Sequence, residues 1–169
     1  MSVLPDDTNE IRKIKVILEQ VNDPEVPVLS VMDLGIVRDI RLLADEIEII
    51  ITPTYSGCPA MDVISLNIKM ALLAAGYKKV TVKNVLSPAW TTDWMTERGK
   101  QKLKEYGIAP PNIKQQVCHH EAFEADEAVQ CPHCNSWHTQ RVSEFGSTAC
   151  KALYKCLDCK EPFDYFKCH

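Results

Sequence analysis

Four cysteines near the end of the chain form two pairs with identical spacing. Cys131 and Cys134 make one C-x-x-C pair, and Cys156 and Cys159 make a second pair after a spacer of twenty-one residues. This spacing lets both sulfurs of one turn face the same ion, and four thiolates satisfy the tetrahedral preference of Zn²⁺. The pattern predicts a structural four-cysteine zinc ribbon. A rubredoxin-like iron site uses the same four sulfurs and is the alternative.

Other metal-binding residue types in this part of the chain have no predicted role. His133 and His138 are surplus to a complete four-cysteine set, so we expect them on the surface. The sequence assigns no chemistry to Cys118, Cys150 or Cys168, and for Cys150 simple packing is the expectation.

A separate cysteine, Cys58, stands between Gly57 and Pro59 at the start of a predicted helix. Proline is favoured at the first helical position, so the sulfur of Cys58 should face free backbone amides. Those amides and the helix dipole should depress its pKa and make it a better nucleophile or metal ligand than an average cysteine. Cys58 is therefore the predicted functional thiol. The alternative, a small buried cap residue, fits the spacing equally well.

Acidic residues in an earlier proline-containing loop could act together with this thiol. Asp23, Glu25 and Asp33 could bring carboxylates near Cys58, although acids in such loops are usually solvated turn residues. The first histidine in the chain is His119, so a Cys-His hydrolase dyad would have to borrow its base from outside the first domain. We therefore predict no catalytic residues.

Apolar periodicity and turn residues indicate which elements position these groups. In chain order they predict a helix over 7–21 capped by Thr8 or Asn9, a loop over 22–27, a hairpin of strands 36–43 and 46–52, a helix over 60–75 ended by Gly76, a strand over 79–86, a helix from Thr92 or Asp93 to Tyr106, and ribbon strands within 137–145 and 152–154. Trp90 and Trp94 are expected to pack in the core. The predicted class is α+β, a small helix–hairpin–helix–strand–helix domain followed by a small β zinc ribbon.

Length and composition limit the domain organisation and the class of partner. With 169 residues, 46% of them hydrophobic, the chain can build one ordinary domain and a small module. We predict a first domain over 1–110, a linker over 111–130 and the ribbon over 131–169. A net charge of −4 disfavours nucleic acid and favours protein partners. The absence of a signal peptide or an apolar span predicts a cytoplasmic protein, where thiols stay reduced.

Several short motifs resemble known families. They are Asp23-Pro24-Glu25-Val26-Pro27, Asp33-Leu34-Gly35, the segment 54–59, and the ribbon segments 145–154 and 162–166. The first domain resembles the SufT-like metal–sulfur cluster biosynthesis family. The chain as a whole is similar to the D-protein family of bacterial phenylacetate degradation operons, encoded beside a phenylacetyl-CoA epoxidase with a diiron oxygenase and an iron–sulfur reductase.

The resemblance implies an accessory role in assembling iron centres. The family's reactive cysteine corresponds to Cys58 and its acidic loop motif to Asp23 and Glu25. The leading hypothesis is a maturation factor that docks the reductase or the diiron oxygenase while Cys58 handles iron or an iron–sulfur cluster transiently. The second hypothesis is a structural subunit that scaffolds the epoxidase complex, and the third is a thiol enzyme that uses Cys58. A homodimer that pairs two Cys58 loops also remains open.

Overall fold

The computed structural model describes residues 5–111 and 128–167, which form two compact units that divide between Thr96 and Glu97. Most of the predicted linker, together with Cys118 and Cys168, lies outside the described residues. Residues 97–109 belong to the unit that contains the ribbon, whereas the predicted boundary of the first domain is residue 110. That boundary stays a prediction. None of the described helices has the length and apolar composition needed to cross a bilayer.

The first unit is a three-stranded sheet with two helices, so the α+β prediction is confirmed. In chain order its elements are α1 (Pro5–Leu18), β1 (Val37–Leu42), β2 (Ile47–Ile51), α2 (Met61–Ala74), β3 (Val80–Asn84) and a 3-10 helix (Thr92–Trp94). The sheet order is β1-β2-β3, with β1 antiparallel to β2 and β3 parallel to β2. The parallel pair requires the crossover that α2 supplies.

Strand β2 is buried along its whole length, as expected for a central strand rich in isoleucine. Ile49 and Ile51 are fully buried, as are Ile64, Ile68 and Leu72 of α2 and Ile14 and Leu18 of α1. The one charged residue of the strand, Glu48, is 6% exposed and is paired with Arg41 of β1 and Lys83 of β3. These two cations from the neighbouring strands make burial of the carboxylate possible.

Helix boundaries differ from the predictions in two places. Helix α1 begins at Pro5 and ends at Leu18, so the predicted caps Thr8 and Asn9 are wrong and lie inside the helix. Pro5 suits a first helical position because it has no amide hydrogen to leave unpaired. The predicted helix up to Tyr106 is interrupted at Met95, which is extended with a ψ of 139°. It therefore consists of the 3-10 helix and a separate helix, α3 (Glu97–Glu105).

The second unit contains α3 and a four-stranded sheet of order β4-β7-β6-β5. Its strands are β4 (Ile108–Ala109), β5 (Thr139–Ser143), β6 (Lys151–Cys156) and β7 (Pro162–Phe166). The two predicted ribbon strands correspond to β5 and β6, and sequence reasoning missed β7 and β4. Strand β4 pairs in parallel with β7 and adds a short edge to the ribbon sheet. A two-residue strand has no periodicity from which it could be recognised.

A tight turn in the first unit depends on Gly35. Its φ is +67°, and a Cβ atom placed there would overlap the backbone carbonyl of Trp94. The same region is held by the indole of buried Trp90, which donates to the Leu34 carbonyl at 2.9 Å. The predicted core packing of Trp90 is confirmed, whereas Trp94 is partly exposed and stacks under Arg38, whose guanidinium lies 3.4 Å from the ring centroid.

We predict that Gly35→Ala destabilises the first unit by at least about 3 kcal/mol, because it combines a left-handed backbone with a backbone clash. Gly76→Ala is the matched control, since Gly76 has a φ of +100° but no atom within 4 Å of its would-be Cβ. The control should lose about 1 to 2 kcal/mol from conformation alone. Urea denaturation measures both changes, and equal losses would contradict the steric argument.

Candidate metal centre and thiol site

The structure brings the four predicted ribbon cysteines together. Their sulfur atoms all lie within 4.8 Å of one another, with Cys131 Sγ 3.8 Å from Cys159 Sγ and Cys134 Sγ 3.5 Å from Cys156 Sγ. Tetrahedral bonds of about 2.3 Å to one ion require sulfur–sulfur distances of about 3.8 Å. The cluster therefore has nearly the dimensions of a tetrahedral four-thiolate site.

The two C-x-x-C turns have the same backbone design. The residue after each pair has a positive φ, 62° at Asn135 and 69° at Lys160. The backbone then returns to the first cysteine of each pair, where Cys131 N–H donates to the Ser136 carbonyl and Cys156 N–H to the Glu161 carbonyl. Asparagine tolerates this conformation, but for lysine it is uncommon and carries strain. The same left-handed conformation at the equivalent place in both turns, at Lys160 even with strain, indicates that the turns are shaped for their sulfurs.

The thiols of the cluster titrate unequally. Burial raises the pKa of Cys131. Burial also acts to raise the pKa of Cys156, but N–H groups of Cys159 and Asp158 and nearby cysteine thiols lower it to about 6. For Cys159 the N–H of Glu161 acts to lower the pKa, yet burial and the neighbouring sulfurs raise it to about 12. One thiolate forms readily at neutral pH, and a cation is needed to hold four together.

The two histidines of the ribbon stay outside the cluster. His138 is exposed and its Nδ1 lies 2.9 Å from Asp158 Oδ1, a carboxylate that also accepts from the Ser136 hydroxyl. The exposed His133 ring lies against Gly107, whose would-be Cβ atom would be 3.1 Å from its Cε1. Both histidines are exposed, as expected for residues surplus to a four-cysteine set.

Cys58 lies in the turn that joins β2 to α2, two residues before Ala60, which is the N-cap of the helix. Pro59 is therefore not the first helical residue, and the predicted placement of Cys58 at the helix start is wrong. The Cys58 N–H donates to the Tyr55 carbonyl at 3.2 Å, and its carbonyl accepts from Met61 N–H at 3.4 Å. These bonds fix the backbone of the turn, and the thiol that it carries is half-buried.

The predicted depression of the Cys58 pKa is also wrong. Burial raises the pKa of this thiol, and the carboxylates of Glu25 and Asp23 raise it further. The N–H of Ala60 and the hydroxyl of Tyr55 act in the opposite direction without reversing the shift. Sequence reasoning missed Tyr55, and its position three residues before Cys58 in the same turn was the available signal.

The acidic residues of the preceding loop have different roles. Asp23 is 8% exposed, and its Oδ1 accepts the N–H groups of Glu25 at 2.7 Å and Val26 at 2.8 Å, so it shapes the loop. Asp33 is fully buried, where it accepts from Ser30 N–H at 3.2 Å and from the Thr96 hydroxyl at 3.3 Å. Asp33 is thus a structural residue and not part of a carboxylate cluster with Cys58.

Cys58, Asp23 and Glu25 do not form a ready-made metal cage. Among the described residues, the ribbon cysteines are the one group that places three or more ligand atoms within 4.8 Å of one another. Cys58 is therefore a single thiol that lies within electrostatic range of two acids.

Two buried hydroxyls near this turn, those of Thr52 after β2 and of Ser65 on α2, have no hydrogen-bond partner in the described structure.

We predict that Cys58 reacts slowly with iodoacetamide at pH 7 and that its rate rises about tenfold per pH unit up to at least pH 9, because the thiolate is the reacting species. Glu25→Gln should accelerate the reaction a few-fold at roughly neutral pH by removing a nearby negative charge. Glu97→Gln, on the second unit, is the control. Peptide mass spectrometry measures the rate at Cys58, and a plateau below pH 8 would contradict the raised pKa.

Comparisons with known proteins agree with this two-part organisation. A family model described as the PaaD zinc beta ribbon domain matches residues 115–167, and one described as an iron-sulfur cluster assembly protein matches residues 11–84. Among solved structures, a domain of unknown function, DUF59, from Bacillus anthracis is 28% identical, with a TM-score of 0.51 over 54% of this chain and 89% of that one. A conserved hypothetical protein from Thermotoga maritima is 27% identical, with a TM-score of 0.47 over 61% of this chain and 98% of that one.

One curated relative spans both units. It is a protein of Escherichia coli (strain K12) that carries the name of the D subunit of 1,2-phenylacetyl-CoA epoxidase, and it is 48% identical over 159 residues. The alignment covers 94% of this chain and 93% of the relative. Since the likeness runs through the first unit and the four-cysteine ribbon alike, the chain belongs to the family of the 1,2-phenylacetyl-CoA epoxidase D subunit.

Proposed function

We propose that this chain is a cytoplasmic maturation factor, without catalytic turnover of its own, for the 1,2-phenylacetyl-CoA epoxidase system. It helps to assemble or insert iron–sulfur or diiron centres in the reductase and oxygenase components. Two similarities support this proposal. The relative carries the name of an epoxidase subunit, and the family model for iron-sulfur cluster assembly covers the segment that contains Asp23, Glu25 and Cys58.

The environment of Cys58 is the observation that carries the proposal. A thiol with a raised pKa is mostly protonated at neutral pH and is a poor nucleophile. The carboxylates that raise this pKa would instead favour a cation, since Fe²⁺ accepts both thiolate and carboxylate ligands. When a cation arrives, the Cys58 proton leaves, and the Tyr55 hydroxyl and Ala60 N–H support the thiolate. These features favour metal handling over covalent catalysis.

The sparse ligand set at Cys58 favours transient handling of iron as cargo over permanent storage. Cys58 is the only cysteine before Cys118, so the first unit offers one thiolate. Iron–sulfur clusters are normally held by four thiolates, and a single one leaves most coordination positions to the partner protein. An ion held so weakly can be passed on.

For the ribbon we propose structural Zn²⁺ bound by Cys131, Cys134, Cys156 and Cys159. The sulfur–sulfur distances fit this ion, and a closed four-cysteine site is typical of structural zinc. Zinc has no redox chemistry, so it would supply cross-linking between the two turns and nothing more. The ribbon core next to the site is small: Ala109, Val129, Ala152, Tyr154, Phe163, Tyr165 and the buried cysteines. Metal binding would therefore contribute much of its stability.

Two other functions remain candidates. The name of the relative, which is that of a subunit, favours a scaffold that remains in the epoxidase complex. A thiol enzyme has less support, because its nucleophile would carry a raised pKa and the first histidine of the chain is His119.

We predict that purified chain contains one zinc ion and that Cys131→Ser abolishes zinc retention and exposes the ribbon to proteolysis. Cys150→Ser is the matched control, because Cys150 is also buried but lies outside the four-sulfur group. Elemental analysis measures the zinc. Retention against a chelator should fall as the pH falls, because protons compete for thiolates. Red, iron-containing protein with the absorption of ferric tetrathiolate would show that iron occupies the site.

We predict that Cys58→Ala folds normally but lowers the iron and labile sulfide of co-expressed epoxidase reductase and oxygenase to the level found without this chain. Ser56→Ala, an exposed residue of the same turn, is the control and should leave loading unchanged. Iron and sulfide are measured in each purified partner. If loading is equal in all strains and only recovery of the intact complex changes, the scaffold function is correct.

A further inference from the structure

Helix α2 is apolar on two opposite faces. Ile64, Ile68 and Leu72 face the core, whereas Val63, Leu66, Met70 and Leu73 are 46%, 56%, 60% and 49% exposed. At 100° per residue the exposed four fall on one stripe, about 180° from the buried side chains. A second apolar face on a helix is normally covered as well, so this exposed stripe indicates a partner surface.

The spacing of the exposed stripe is that of a two-stranded coiled coil. Val63 and Met70 occupy a positions and Leu66 and Leu73 occupy d positions of two consecutive heptads. A stripe with this pattern is complementary to a copy of itself under two-fold symmetry. Val63 at an a position with Leu66 and Leu73 at d positions fits the preference of parallel two-stranded coiled coils.

We infer that the stripe joins two copies of this chain through parallel α2 helices and that the pair brings two Cys58 thiols to one shared site. The function of the shared site rests on the proposed iron-handling role of Cys58, whereas the association of two copies does not depend on that role.

The flanking charges favour the parallel arrangement. In a parallel pair, residue g of one helix faces residue e of the next heptad of the other, so Asp62 faces Asn67 and Lys69 faces Ala74. No like charges oppose each other there. In an antiparallel pair the symmetry axis would cross the midpoint of the stripe, at the level of residue 68 along the helix. The two copies of Lys69 would then meet near the axis and repel.

The exposed area fits a reversible pair. Four side chains about half exposed present on the order of 400 Å² of apolar surface, the size of the largest patch on a typical monomer, and such patches are often functional. It is about half of the ~800 Å² that each partner contributes to a standard stable interface. Two heptads without further contacts should thus associate weakly, with a Kd of roughly micromolar order.

The parallel pair would complete the thiol site. Cys58 comes three residues before Met61, the first residue of α2, so both copies lie at the same end of the pair. Paired helix axes are about 8–10 Å apart, which places the two turns near each other. An antiparallel pair would separate them by about 20 Å, the length of the helix. The pair offers iron two Cys58 thiolates, each with the Glu25 carboxylate of its own copy within electrostatic range, which is a richer set than one chain offers.

Sedimentation velocity of the full chain tests the association, with Leu66→Glu as the disrupting variant. Leu86→Glu is the matched control, because Leu86 is 62% exposed in the same unit but lies off the helix. We expect wild type and Leu86→Glu to dimerise alike and Leu66→Glu to weaken dimerisation at least about tenfold. Circular dichroism and urea denaturation show whether each variant is folded. Monomeric wild type at about 100 µM, or equal behaviour of the two variants, would overturn the inference.

Cross-linking tests the parallel arrangement separately. A short bis-maleimide should join Cys58 to Cys58 of the second copy in wild type and Leu86→Glu but not in Leu66→Glu, as read from cross-linked peptides. Association without this cross-link would overturn the shared site. If wild type is monomeric and Leu66→Glu instead loses binding to an epoxidase component, the stripe belongs to that partner. If wild type is monomeric but Cys58→Ala still lowers the iron content of the epoxidase components, the paired site is wrong and the maturation function stands.

Discussion

The first unit depends on the burial of strand β2 on both of its faces. A strand in this position must have a neighbour on each edge, which β1 and β3 supply, and apolar cover, to which α1 and α2 contribute their buried side chains. The cost of burying Glu48 is offset by Arg41 and Lys83, which reach it from the two flanking strands. The chain leaves β2 directly into the turn that holds Cys58. The thiol is thus attached to the most buried strand of the unit.

Cys156 of the ribbon and Cys58 differ because their surroundings shift the thiol pKa in opposite directions. At the ribbon, backbone N–H groups point at sulfur and lower the pKa of Cys156 to about 6, which prepares a thiolate before any ion arrives. At Cys58, burial and two carboxylates favour the neutral thiol. The first arrangement suits an ion that stays, and the second suits an ion that arrives and leaves. This contrast supports a division of labour between a structural metal and a transported one.

The exposed face of α2 is a candidate interface that begins close to the turn that holds Cys58. The helix begins three residues after Cys58, so a partner that covers the Val63 end of its outer stripe would approach the turn that holds the thiol. A second copy would double the ligands at that end without any change in the fold. Because the exposed area is modest, such a pair could separate when an epoxidase component competes for the same surface.

Local sequence signals were sufficient for much of this protein. The C-x-x-C spacing, the β1–β2 hairpin, helix α2 and the end of that helix near Gly76 all follow from short-range patterns, because turns, periodicity and metal spacing are properties of neighbouring residues. The register of Arg41 opposite Glu48, the two-residue strand β4 and the interruption of the last helix at Met95 depend on contacts between distant segments, and only the tertiary structure decided them. The same holds for Cys58. Its sequence neighbours, Gly57 and Pro59, indicated a helix-start thiol with a depressed pKa. The fold instead placed the turn ahead of the helix and near Glu25 and Asp23, so long-range charge and burial reversed the sign of the shift.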